Sequence, residues 1–236
     1  MKIIFVRHGN PNYKNDCLTE LGHLQAAAAA ERLKREPIKR IYSSTNGRAY
    51  ETAQHINVNF GLKIEKLDFM RELTFITPAE GKDPSLFPDY SERLGNPWNA
   101  VDYLVADGTD IHTDKWEEYP IFAKYNYPKQ AREVGEAFDA FLSGFGIQRC
   151  GLYYRVSKKC EHETILIASH AGSFSAVFAH VLNLPLSFIT CYLRPDHTSI
   201  TAIEFKASDN PVAPTVSLFN DAEHIKGIET AEMKYN

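Results

Sequence analysis

The sequence predicts an α/β protein built on a mostly parallel sheet, and three observations carry that expectation. The first is the opening run Lys2-Ile3-Ile4-Phe5-Val6-Arg7-His8-Gly9, apolar and β-branched until it stops at a cation, an imidazole and a glycine. Runs without polar alternation are strands buried on both faces, the habit of parallel sheets. The second is the return of the same device at Thr164-Ile165-Leu166-Ile167-Ala168-Ser169-His170-Ala171-Gly172. The third is the way such runs alternate with helical stretches. In open sheets of this kind ligands bind beyond the carboxyl ends of the strands. Arg7, His8 and His170 are therefore expected at one edge of one sheet, with Gly9 allowing a sharp turn close to whatever is bound.

Along the chain, Asn10 to Asp16 is rich in turn formers. Thr19 is placed to cap a helix, its hydroxyl accepting from an amide of the first turn. That helix runs through Leu21, Leu24, the alanines at 26–30 and Leu33, and ends before Pro37. The alanines favour helix and permit close approach to the sheet. Residues 38–43 form the next strand, and Ser44-Thr45-Asn46-Gly47 turns the chain into a helix carrying Arg48, Ala49, Thr52 and Ala53. Arg48 falls in the first turn of that helix, where the dipole disfavours a cation. Its position points to an anion to be met, with an ordinary surface arginine as the alternative.

Residues 64–67 form a short strand, followed by Arg71-Glu72-Leu73. From 74 to about 128 the texture changes to proline, glycine and aromatics (Phe87, Tyr90, Trp98, Tyr103, Trp116) with no sustained period. This reads as a cap inserted into a single domain spanning residues 1–236, because it is too broken to hold a core of its own. Such aromatic loops shape pockets, and packing onto the main body accounts for them equally well. Residues 129–145 return to helix, with Ala131, Val134, Phe138, Phe141 and Leu142 on one face. Residues 149–159 read as strand or helix end. The second histidine-bearing strand leads into a helix over 173–182, stopped near Asn183 and Pro185. Two strands, 199–205 and 215–219, precede a polar tail.

The bulk composition excludes several classes. A net charge of -4 argues against a nucleic-acid binder working through a basic surface, though it permits a small cationic pocket. No apolar segment approaches the roughly 20 residues of a membrane span, and the opening run meets Arg7 too soon for a signal peptide. Cys17, Cys150, Cys160 and Cys191 show no CxxC spacing and read as separate thiols in a reducing compartment. The expectation is a cytoplasmic protein.

If the sheet is right, Arg7, His8, Arg48 and His170 converge. Two guanidiniums can grip a phosphoryl group bidentately, and a neutral imidazole can attack phosphorus and carry the group covalently. The second histidine can stabilise the equatorial oxygens. Glu72, beyond a strand end, can supply the leaving group's proton and later act as a base for water. This set performs phosphoryl transfer without metal or cofactor. Two histidines and a glutamate could instead ligate zinc, but two adjacent arginines raise the cost of binding a cation. Glu72 could also simply pair with Arg71 at the surface. His197, in Asp196-His197-Thr198-Ser199, lies where a chain returning to the sheet could reach the pocket, with a loop or capping role as the alternative. His23, His55, His112, His162, His180 and His224 carry no such signal.

The ordered motifs Arg7-His8-Gly9, Leu18-Thr19-Glu20-Leu21-Gly22-His23-Leu24-Gln25-Ala26, Ser43-Ser44 through Arg48-Ala49-Tyr50-Glu51-Thr52-Ala53, Arg71-Glu72-Leu73 and Ser169-His170-Ala171-Gly172 resemble those of the histidine phosphatase superfamily, the phosphoglycerate mutase-like proteins. The stretch 219–225 is similar to that family's closing segment. The resemblance implies a three-layer α/β/α sandwich with a mostly parallel central sheet. It implies His8 as the phosphorylated nucleophile, Arg7, Arg48 and His170 as the phosphate pocket, and Glu72 as proton donor.

Two departures weaken a mutase assignment. Asn10-Pro11-Asn12-Tyr13 follows the glycine where mutases carry an acidic residue and a hydroxyl, leaving Asn10 or Asn12 to help hold phosphate. The stretch after Glu72 also lacks the mutases' glycine- and tryptophan-bearing pattern. The expected activity is that of a histidine acid-type phosphatase, a phosphoric monoester hydrolase, acting on a small phosphorylated metabolite. No nucleic-acid or membrane partner is expected. A mutase and a silent phosphate-binding module are the alternatives, and the substrate and oligomeric state stay open.

Overall fold

The computed structural model describes residues 1–73, 108, 110–118 and 126–228. Its centre is the parallel pairing of β1 (Lys2–Arg7) with β8 (Thr164–Ser169), in register from Lys2 opposite Thr164 to Arg7 opposite Ser169. Before β8 come the short hairpin β2 (Pro11–Asn12) and β3 (Cys17–Leu18), α1 (Glu20–Leu33), β4 (Arg40–Ser44), α2 (Gly47–Asn57), β5 (Ile64–Leu67), α3 (Tyr127–Ser143) and the hairpin β6 (Ile147–Cys150) and β7 (Tyr153–Val156). After it come α4 (Ala171–Leu182), α5 (Leu186–Tyr192), β9 (Ile200–Glu204) and β10 (Thr215–Asp221). The six-stranded sheet has the order β10-β9-β1-β8-β4-β5. Strands β1, β8, β4 and β5 are parallel, while β9 and β10 close one side antiparallel.

Alternation along the central strands makes the three layers. Ile4, Val6, Leu166 and Ala168 face α1 and α2, where Ala30, Leu33, Ala53 and Ile56 complete one core. Ile3, Phe5, Ile165 and Ile167 face α3 and α4, where Phe138, Leu142, Phe174 and Val177 complete the other. Successive side chains of a strand point to opposite faces, so a run apolar at every position must be covered twice. Fold class and layering are those the sequence implied.

Local signals set the element ends. The Thr19 hydroxyl accepts from the Gly22 amide at 3.1 Å, capping α1 as expected. Asn183, at φ 56°, ends α4 in the left-handed conformation. α3 begins two residues before the expected start, because Pro128 fits the first helical turn, where a missing amide hydrogen costs nothing. Residues 147–156 form a β-hairpin, which the sequence left between strand and helix end, and α5 was not anticipated. The expected cap over residues 74–128 falls largely outside the described residues. Within it, Ile111 is buried against the core and its carbonyl accepts from Ser187 Oγ at 2.6 Å. No described helix is long and apolar enough to cross a membrane, and the four cysteines are free thiols.

The joint between α1 and the loop after β1 is close-packed backbone. A Cβ on Gly22 would lie 2.2 Å from the Asn10 carbonyl oxygen, a distance that forces the backbone apart. Overpacking of this kind costs about 1–3 kcal/mol, and each kcal/mol lowers the melting temperature of a chain this size by roughly 2–4 °C. Gly22→Ala is therefore expected to lower Tm by several degrees in thermal unfolding, and an unchanged Tm would show that the joint yields without cost.

Candidate active site

Each strand that ends at the carboxyl edge delivers a functional group there. His8 follows β1 and His170 follows β8, and their ring centroids are 5.1 Å apart. Their strands are bound together up to this point, since the His8 amide donates to the Ser169 carbonyl at 2.9 Å. His8 Nδ1 lies 2.7 Å from the Gly9 carbonyl oxygen. A carbonyl can only accept, so Nδ1 carries the hydrogen and Nε2 keeps its lone pair. That is the tautomer a nitrogen nucleophile requires.

His170 is fixed in the complementary sense. Its Nε2 lies 2.8 Å from Ser44 Oγ, at the end of β4, and its Nδ1 is buried with no partner among the described residues. If the Ser44 hydroxyl gives its one hydrogen to Nε2 rather than to Asn46 Oδ1, 3.4 Å away, the imidazole hydrogen sits on Nδ1, free to meet an anion. Arg7 Nη1 donates to the Pro195 carbonyl at 2.7 Å, and the Nε atoms of Arg7 and Arg48 are buried without partners among the described residues.

Arg48 stands in the first turn of α2, as expected, and is held there by Asp16. One carboxylate oxygen of Asp16 pairs with Arg48 Nη1, and the other accepts from the Gly47 amide at 2.8 Å and from Asn46 Nδ2 at 3.2 Å. This carboxylate caps the helix and offsets the cation placed at its positive end. Asp16 adopts φ 50° to do so. Thr52 ties α2 to the loop after β1: its Oγ1 accepts from the Gly9 amide at 3.1 Å and donates to the Arg48 carbonyl at 2.8 Å. Asn10 is held by Thr19 Oγ1, which donates to its Oδ1 at 2.7 Å. Asn12, the other residue considered for phosphate, instead accepts from the Asn15 amide at 3.3 Å.

Glu72 turns inward rather than pairing with Arg71, which lies 3.7 Å from Asp68. Its Oε1 accepts from the Gly172 amide at 2.9 Å, in the first turn of α4, and from the Leu73 amide at 3.0 Å. Burial raises its pKa above the usual carboxyl value, against the opposing pull of Arg48 and Arg7. A carboxyl so placed keeps its proton longer than an exposed one. Burial also drives the imidazoles the other way. His8 falls well below 6.5 through burial, then His170, Arg7 and Arg48, and His170 falls through burial, then Arg48 and Arg7. Both are therefore neutral at pH 7. Ligand atoms of His8, Glu72 and His170 lie within 4.8 Å of one another, close enough to hold a metal ion, but two arginines bear on the same space.

The sequence named Arg7, His8, Asn10, Arg48, Glu72 and His170, and the fold brings all of them to this edge. It did not single out Asp16, Ser44 or Thr52, which meet their partners only from distant parts of the chain. Of the remaining histidines, His23 and His55 pair with each other at 2.9 Å, His180 pairs with Asp139 at 2.7 Å, and His224 Nε2 meets Thr198 Oγ1 at 3.2 Å.

The family model described as histidine phosphatase superfamily (branch 1) matches residues 3–117, the part of the chain that holds Arg7, His8, Arg48 and Glu72. Over this stretch, just under half of its length, the chain is similar to that superfamily. A Hydrogenobacter thermophilus protein named as a candidate phosphoserine phosphatase is 23% identical over 217 residues, covering 87% of this chain and 90% of the relative. A phosphoserine phosphatase variant from Entamoeba histolytica, solved with phosphoserine, superposes with a TM-score of 0.62 at 19% identity, covering 95% of this chain and 98% of that one. Mycobacterial glucosyl-3-phosphoglycerate phosphatase does so with a TM-score of 0.62 at 20% identity, over 93% and 98%. At these identities the structural likenesses establish the fold.

Two outcomes follow from this geometry. A Cβ on Gly172 would lie 2.5 Å from Glu72 Oε1. Gly172→Ala should displace the carboxyl and reduce turnover at least tenfold, with a smaller effect on Tm; unchanged turnover would detach Glu72 from the chemistry. Because the folded-state pKa values of His8 and His170 lie below 6.5, the unfolded chain binds more protons than the folded one below that pH. Stability should therefore fall as pH drops below 6.5. The fall in Tm between pH 7 and pH 5 should be smaller in His170→Asn than in the wild type, and an equal fall would contradict the burial argument.

Proposed function

We propose that the chain is a metal-independent phosphomonoester hydrolase that acts on a small phosphorylated metabolite through a phosphohistidine at His8. The observation that carries this reading is the tautomer of His8: with Nδ1 committed to the Gly9 carbonyl, the Nε2 lone pair is free beside two arginines and a proton-retaining carboxyl.

In the first step Arg7, Arg48 and the Nδ1–H of His170 hold the non-bridging oxygens. His8 Nε2 attacks phosphorus as the ester P–O bond breaks, and Glu72 gives its proton to the leaving oxygen. In the second step the Glu72 carboxylate takes a proton from water, and the resulting oxygen nucleophile displaces His8 from phosphorus. Phosphate leaves, His8 is again neutral and Glu72 again protonated. The acid character of the enzyme lies in this one group, which must begin each cycle protonated. Asn10, held by Thr19 at the rim of the nucleophile loop, adds an amide to the phosphate pocket. The substrate class is supported by the relatives, whose names and ligands are phosphoserine, 3-phosphoglyceric acid and glucosyl-3-phosphoglycerate.

Phosphate release from phosphoserine, phosphoglycerates, sugar phosphates, nucleotides and an aryl phosphate, measured with chelator present, tests the proposal. Wild type should release phosphate, His8→Ala should not, and Glu72→Gln should lose about 10²–10⁴-fold, the usual reach of general acid–base catalysis. Activity abolished by chelator would restore the zinc alternative. Interconversion of phosphoglycerates without net release would identify a mutase.

A further inference from the structure

His197 is an imidazole of the site that the chemistry above leaves unused, and the fold takes unusual trouble to hold it. It lies in the loop between α5 and β9, and nearly every residue around it is anchored. Arg7 Nη1 donates to the Pro195 carbonyl at 2.7 Å. The Asp196 amide donates to Asn220 Oδ1 at 2.8 Å, and Asn220 Nδ2 returns to Asp196 Oδ2 at 3.0 Å. The Thr198 amide donates to the Arg7 carbonyl at 3.0 Å, its Oγ1 meets His224 Nε2 at 3.2 Å, and the Ser199 amide donates to the Asp196 carbonyl at 3.1 Å.

The loop is strained as well as anchored. Thr198 has φ 55°, the left-handed region that a β-branched residue enters only at a cost. These anchors hold the His197 ring 5.7 Å from that of His8, at 44° to it. His8 thus has an imidazole on two sides, His170 at 5.1 Å and His197 at 5.7 Å. His197 Nε2 is buried and has no partner among the described residues. Burial, with Arg7 adding to it, holds this imidazole down to about 3, so it is neutral at pH 7 and does not repel the guanidinium beside it.

An apolar ring would fill this volume without leaving a buried nitrogen unsatisfied, and polar atoms are normally buried with partners. A residue that accepts both an orphaned nitrogen and a strained neighbour at the nucleophile's side has a partner that arrives with the ligand. We propose that His197 is a third phosphoryl-binding imidazole, its Nε2–H donating to a non-bridging oxygen of the group that His8 attacks. Its ligand is a tetrahedral oxyanion, the phosphate monoester dianion or inorganic phosphate. The inference rests on the phosphatase reading for its substrate, but the binding it claims is measurable without turnover.

The test is binding of inorganic phosphate, by calorimetry or phosphorus NMR, to the full chain as wild type, His197→Ala, His197→Gln and His197→Phe. Loss of one donor should weaken binding about tenfold in the alanine variant, or roughly 1.4 kcal/mol. Glutamine, whose amide nitrogen reaches where Nε2 stands, should recover most of the loss. Phenylalanine keeps the ring without the donor and should bind as weakly as alanine. Equal phosphate affinity in wild type and alanine variant would overturn the proposal. So would phenylalanine binding like wild type while glutamine binds weakly, since that pattern is packing. Should the alanine variant fail to fold, the glutamine and phenylalanine pair decides alone. Weaker phosphate binding in a chain that hydrolyses nothing would uphold His197 and sink the hydrolase reading. Hydrolysis with phosphate affinity unchanged in the variants would do the reverse.

Discussion

The in-register parallel pairing of β1 with β8 is the constraint on which the site depends. Because Arg7 lies opposite Ser169, the residues that follow both strands, His8 and His170, emerge at one edge. An antiparallel pairing would have sent them to opposite ends. β4 lies next to β8 and is parallel to it, so the loop after β4 and the first turn of α2 arrive at that same edge with Arg48. β9 runs antiparallel on the other side of β1 and therefore begins where β1 ends, which is why the residues just before it, His197 among them, also reach the pocket. One register fixes the placement of four elements.

The site is a concentration of cationic and proton-carrying groups that folding alone would not select. One guanidinium, that of Arg48, is buried and that of Arg7 half-buried, two imidazoles are held neutral by burial, and one carboxyl is pushed toward its protonated form. The protein offsets part of this strain with its own charges and dipoles: Asp16 against Arg48 and the start of α2, and the amides of Gly172 and Leu73 against Glu72. What it does not offset is the field that a phosphoryl dianion would neutralise.

How much of this was legible in the sequence depended on the range of the signal. Buried-strand runs, the Thr19 cap and the apolar face of α3 are written within a dozen residues, and each appears in the fold. Arg7, His8, Arg48, Glu72 and His170 were readable because each stands at or shortly after a strand end or in a helix's first turn. Asp16 was not, since a carboxylate in a turn-rich stretch gains meaning only when Gly47 and Arg48 come to it from 31 and 32 positions away. Ser44 gained its meaning from His170, 126 positions on. The hairpin at 147–156 was ambiguous because its two strands are four residues each, too short to show a period. α5 was hidden by Pro185, which reads as a stop and in fact stands at the helix cap.

The two outer strands of the sheet bear on how copies of this protein meet one another. β5 is only four residues long, and the pairing of β10 to β9 is broken by register shifts between Val216 and Leu218 and between Leu218 and Asp221. A long, flat outer strand offers a row of unpaired amides and carbonyls on which another chain can build, whereas a short one and a kinked one do not. Growth of the sheet from molecule to molecule is therefore discouraged at both ends. The carboxyl edge of the sheet, formed by strand termini and not by strand flanks, stays clear of such encounters.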